Sequence, residues 1–86
     1  MKEWITGRNP VMEVMQAKRR QVFRLLLASG VEEKGRIAEI LRAAASIKVP
    51  IERVARERLE RLGENPQGVA VEVGVGVVLG ELEGAR

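Results

Sequence analysis

The 86-residue chain is 45% hydrophobic and 31% charged with a net charge of +3, a balance that suits one small folded domain and argues against disorder. It has no cysteine and no histidine, which excludes disulfides, thiolate metal sites and thiol or imidazole catalysis. No apolar stretch reaches the roughly 20 residues of a membrane span, and Met1-Lys2-Glu3 leads into no signal-peptide core, so a cytoplasmic protein is expected.

The first element is a short strand, WITG (4–7), ending at Gly7. Asn9 reads as the N-cap of a helix over about 10–19, with Pro10 at its first position, where the missing N–H costs nothing. Val11, Val14 and Met15 recur on one face; Glu13 suits the positive end, and Lys18, Arg19 and Arg20 suit the negative one. VFRLLLA (22–28) is nearly all apolar, the pattern of a central strand covered on both faces, and Ser29-Gly30 ends it. A second helix is expected over 33–46 from the spacing of Ile37, Ile40, Leu41, Ala44 and Ala45. IKVPI (47–51) reads as a short strand that Pro50 places at an edge or a strand end. ARERLERL (55–62) reads as a short helix packing through Leu59 and Leu62 and stopped by Gly63. ENPQG is a turn and VAVEV (69–73) an alternating last strand. GVGVVLG (74–80) lacks the dinucleotide-binding spacing and reads as a Gly-loosened strand or linker. The order β-α-β-α-β-α-β predicts a largely parallel or mixed four-stranded sheet with helices on its faces.

Eleven of the fifteen cations are Arg. The planar guanidinium suits phosphate, although Arg and Glu richness also follows from base composition or a hot habitat. Thr6, Ser29 and Ser46 are the only hydroxyl side chains. The carboxylates mostly alternate with cations, as in ERVARERLERL (52–62), and read as a solvated, ion-paired face. On its own the chain does not look like an enzyme. TGRNPVMEVM (6–15) allows two readings: the punctuation between a strand and a helix, or the edge of a site for an anion.

Gly7-Arg8-Asn9-Pro10-Val11 with Glu13, RRQVFRLLLASG (19–30), VPIERVARERLERL (49–62) and Gln67-Gly68-Val69 stand in the order and spacing of one family. On these motifs, residues 4–73 resemble the N-terminal substrate-binding domain of the SpoU-type (TrmH-like) RNA 2′-O-ribose methyltransferases. The resemblance implies a three-layer α/β/α, L30e-like sandwich over 1–73 that grips rRNA or tRNA. Residues 74–86 would then be a linker toward an absent C-terminal SPOUT catalytic domain. That knotted domain would bind S-adenosylmethionine, methylate a ribose 2′-hydroxyl and form a homodimer. The present chain would hold no cofactor, be inactive alone and be monomeric. Ala55 departs from expectation, since a polar cap would suit the helix after it. L7Ae-like binders of kinked RNA also carry Gly-x-Asn here, but Pro10 and Glu13 occupy the places of their Glu and Lys.

The resemblance assigns an RNA phosphate or base edge to Arg8 and the amides near Asn9, at the positive start of the first helix. Gly7 would permit close approach, and Gln67 and Gly68 would add hydrogen bonds. Lys18, Arg19, Arg20 and Arg24 would extend a basic track, its two ends separated by roughly 15 Å of helix. The alternative is a cap, a turn and a tight loop with no ligand. Two other functions compete: a protein-interaction or dimerisation module using Trp4 and Phe23, and a DNA-binding helix-turn-helix over 33–46 and 51–62. SIKVP is a poor turn for the latter, and Glu52, Glu57 and Glu60 would repel phosphate.

Overall fold

Leu25, Leu26, Leu27 and Ala28 are fully enclosed, and the rest of the fold is arranged around them. The computed structural model describes residues 1–75, with β1 (Lys2–Thr6), α1 (Arg8–Ala17), β2 (Val22–Ala28), α2 (Arg36–Ser46), β3 (Ile51–Val54), α3 (Arg56–Glu60) and β4 (Val69–Gly74). The sheet runs β1-β4-β2-β3. β2 and β3 are parallel, a pairing that requires a crossover, which α2 supplies. β4 comes last and slots between β1 and β2, antiparallel to both. The sheet is therefore mixed.

Side chains alternate across the strands, so each central strand feeds two cores. Leu25, Leu27, Val69, Val71 and Val73 pack beneath α1 and α2 through Val11, Met15, Ile37 and Ile40. Leu26, Ala28 and Ala70 face the other way, against Leu59 of α3 and Val54. These are the three α/β/α layers. Each enclosed Leu contributes about 1.5–3 kcal/mol, so both faces of β2 are needed in so small a domain. α2 and α3 lie on opposite faces of the sheet, which removes the helix-turn-helix reading.

Several boundaries differ from expectation; β1 runs Lys2–Thr6 rather than 4–7, and α3 ends at Glu60 rather than at 62. α1 begins at Arg8, with Gly7 as its N-cap at φ 97°, so Asn9 lies inside the helix and is not its cap. Pro10 still lies among the first residues, whose N–H groups have no helical partner. α2 begins at Arg36 because Gly35 holds a positive φ of 60°. The strand expected at 47–51 is instead the end of α2 followed by a connection. Lys48 takes φ 60°, its N–H donates to the Ala45 carbonyl and the Val49 N–H to that of Ala44. This is a Schellman ending with Lys in the usual glycine position and Val49 as its apolar contact. β3 starts only at Ile51, after Pro50. The reading of GVGVVLG falls almost wholly outside the described residues; Gly74 itself closes β4. Among the described residues no helix is long and apolar enough to cross a membrane.

Candidate nucleic-acid interface

Two segments almost 60 residues apart meet at the end of β1. Gly7 is buried, and its φ of 97° with ψ 147° is a conformation essentially reserved for glycine. Its N–H donates to the Val69 carbonyl at 3.3 Å. The next N–H, of Arg8, donates to Gln67 Oε1 at 2.9 Å. Arg8 Nε then donates to the Gln67 carbonyl at 3.2 Å. Gln67 thus supplies from a distant loop the cap that α1 lacks locally, and Arg8 is held to that loop by two bonds.

The loop itself is tied in place at several points. Thr6 Oγ1 donates to the Glu64 carbonyl at 3.2 Å. A Cβ on Gly63 would come within 2.6 Å of Thr6 Oγ1, so glycine leaves the room that the Thr6 side chain occupies. Asn65, Gln67 and Gly68 all have positive φ, of 47°, 55° and 84°. The structure therefore brings Gly7, Arg8, Gln67 and Gly68 into one corner. Two groups there have no described partner: the terminal nitrogens of Arg8, and the side-chain amide nitrogen of Gln67. Both are donors only, so the corner offers hydrogen bonds to an acceptor such as a phosphate oxygen or a base carbonyl.

Beside this corner lies a cleft of about 690 Å³ between α3 and the 63–68 loop. Arg56 and Arg61 line it, as do Glu60 and Glu64. The 53–61 run was expected to be a solvated, Glu-paired helix face; its arginines are exposed as expected, but the pairing is different. Among the described residues only Arg53 of that run is ion-paired, and its partner is Glu33 from the segment before α2. A five-residue helix is too short to develop many i,i+4 pairs. That Arg56 and Arg61 line a cleft together with Gln67 was not expected from the sequence.

The other predicted residues are dispersed. Asn9 is exposed and faces a separate recess with Glu13 and Arg36. Lys18 ends α1 in the left-handed conformation, and it and Arg19 are exposed. Arg20 pairs with Glu3 and donates to the Gly74 carbonyl at 2.8 Å. Arg24 spans Glu52 at 3.0 Å and Glu72 at 3.1 Å, with its guanidinium 5.3 Å from the Trp4 ring centre. The Glu52 hydrogen bond, with Glu72 adding to it, raises the Arg24 pKa against an opposing desolvation. Arg20 and Arg24 act as struts across the sheet rather than as a track. Among the described residues no cluster of acids could hold a metal ion.

The family model described as RNA 2'-O ribose methyltransferase substrate binding matches residues 4–74. The human protein rRNA methyltransferase 1, mitochondrial, is 38% identical over 74 residues, which make up 83% of this chain and 21% of that protein. Proteins named uncharacterized tRNA/rRNA methyltransferase in Mycobacterium ulcerans and Mycobacterium marinum are each 38% identical over 73 residues, 83% of this chain and 23% of theirs. The chain spans about a fifth of the length of these curated relatives.

Proposed function

Because the chain belongs to the RNA 2'-O ribose methyltransferase substrate-binding family, we propose that it holds RNA through the corner formed by Gly7, Arg8, Gln67 and Gly68. The observation that carries this is the pair of bonds between Arg8 and Gln67. They orient a guanidinium and an amide side by side while leaving donors on each for a phosphate oxygen or a base edge. Lys18 and Arg19 add long-range attraction at the far end of α1. The RNA held is an rRNA or tRNA, presented for 2′-O-methylation by a part of the enzyme outside these residues. S-adenosylmethionine and the dimer contact are assigned to that part.

Titration of the chain with a ribosomal or transfer RNA hairpin, followed by heteronuclear NMR at two salt concentrations, tests this. Shifts at Arg8, Gln67 and Gly68 that weaken with salt are expected, since each phosphate neutralised releases counterions. If those amides stay still in a large RNA excess, the corner is only a helix start. The interaction-module reading then takes its place, and one feature favours it. Trp4 and Phe23 are half-buried on the sheet face that α3 leaves partly open, Phe23 beneath Lys2 Nζ at 4.3 Å.

A further inference from the structure

We infer that the cleft between α3 and the 63–68 loop is a pocket for one unpaired nucleotide of an RNA chain, with Arg56 and Arg61 on its phosphate and the Gln67 amide toward its base. This rests on the RNA reading above and adds a second set of contacts to it. The cleft is about 690 Å³, within the ordinary range for small organic ligands, so a splayed-out nucleotide fits where a stacked helix does not.

Arg56 and Arg61 both reach this one cleft and have no ion-pair partner among the described residues. Two guanidinium forks offer the planar, multidentate geometry that phosphate accepts. Leu62 and Pro66, both half-buried, give the lining an apolar part against which a base face can lie. Glu60 and Glu64 line the same cleft. They offset the two arginines, so the cleft is not a trap for any polyanion. Their oxygens accept from N–H groups, which a base edge carries, and repel the bare dianion of inorganic phosphate. The ligand that answers all of these groups has a phosphate at one end and hydrogen-bond donors at the other. The ties from Thr6 and Arg8 hold the loop in place, so the pocket is formed before ligand arrives and little ordering cost remains.

The test uses the whole 86-residue chain with a ten-nucleotide single-stranded RNA, its blunt duplex and adenosine monophosphate as probes, read by fluorescence anisotropy and NMR. The variants are Arg56→Ala, Arg61→Ala and Arg58→Ala. The last makes the same charge change on α3 outside the cleft lining, and all three side chains are exposed, so folding is preserved and a heteronuclear spectrum checks it. The single strand should bind more tightly than the duplex. Arg56→Ala and Arg61→Ala should each weaken it by about tenfold, the order of one charge-assisted hydrogen bond, and Arg58→Ala by less than about twofold. The monophosphate should compete only at far higher concentration. Equal losses from all three arginines, or a duplex that binds as well as the single strand, overturn the pocket while leaving RNA binding at Arg8 and Gln67 in place. A monophosphate as tight as the oligomer makes the cleft a free-nucleotide site and overturns it too. If the unaltered chain binds no RNA, both readings fall.

Discussion

Gln67 plays a structural part with its side-chain oxygen and, in the proposed interface, offers the nitrogen to RNA, and two substitutions separate these roles. Its Oε1 accepts the Arg8 N–H at 2.9 Å. Gln67→Ala deletes this cap, and the loss of a side-chain cap costs about 1 kcal/mol. For a domain of this size that is a fall in thermal midpoint of roughly 4–8 °C. Gln67→Glu keeps an oxygen in place and brings a negative charge to the positive end of α1, stabilising by about 0.3–1 kcal/mol. The same change removes both amide donors and sets a carboxylate against the RNA phosphates. Backbone strain does not confuse the comparison, because Gln67 already holds φ 55° and Ala or Glu inherits that conformation. The expected result is a Glu variant at least as stable as the parent chain in urea unfolding, yet binding RNA at least about tenfold more weakly by anisotropy. The Ala variant should lose on both counts. A Glu variant that unfolds earlier would refute the capping argument. One that binds RNA undiminished would remove Gln67 from the interface.

Gly63→Ala should lower the urea midpoint by an amount equivalent to about 1–3 kcal/mol through overpacking, because its Cβ would meet Thr6 Oγ1 at 2.6 Å. Adding Thr6→Ala should recover part of that loss, and a strictly additive double variant would argue against the clash as its cause. Gly7→Ala places a side chain at φ 97° and should cost about 1–3 kcal/mol, measured by thermal unfolding; a cost near zero would mean the junction relaxes freely. Arg24→Ala leaves the mostly covered Glu72 without its partner and should lower stability. It should change RNA affinity by less than about twofold at matched salt, and a larger loss would restore Arg24 to the interface.

Most of the fold was legible in the sequence because burial follows periodicity. Two-sided covering of Leu25–Ala28 shows as an unbroken apolar run, and Ile37, Ile40 and Ala44 as a helical stripe. The errors arose where a distant or unusual partner replaced the local signal. Asn9 is a good cap residue beside a helix start, but the oxygen that caps the helix belongs to Gln67, and nothing within a turn of Asn9 reveals that. Ile47 and Val49 have strand-like side chains, yet Lys48 turns the chain in the left-handed conformation that normally announces itself by a glycine. Arg56 and Arg61 stand among glutamates in sequence, whereas pairing depends on whether the side chains meet. The resemblance pointed to Arg8, Gln67 and Gly68 together, a grouping that spacing alone could not supply.

The sequence posed TGRNPV as either a helix start or the edge of a binding site, and the geometry is one in which a single arrangement can serve as both. A helix capped from its own N-cap residue has its first turn enclosed by a local side chain. Here the cap comes from a loop, so that loop must stay against the helix, and its outward face is fixed along with it. Gly7 allows the close approach, Gly63 and Thr6 hold the far end, and Arg8 bonds back to the loop through Nε. The donors left over on Arg8 and Gln67 are therefore oriented by the same bonds that begin α1. A ligand acceptor that engages the Gln67 amide N–H pushes electron density onto Oε1 and strengthens the bond it accepts from the Arg8 N–H, so binding at that amide and the stability of the β1–α1 junction should rise together.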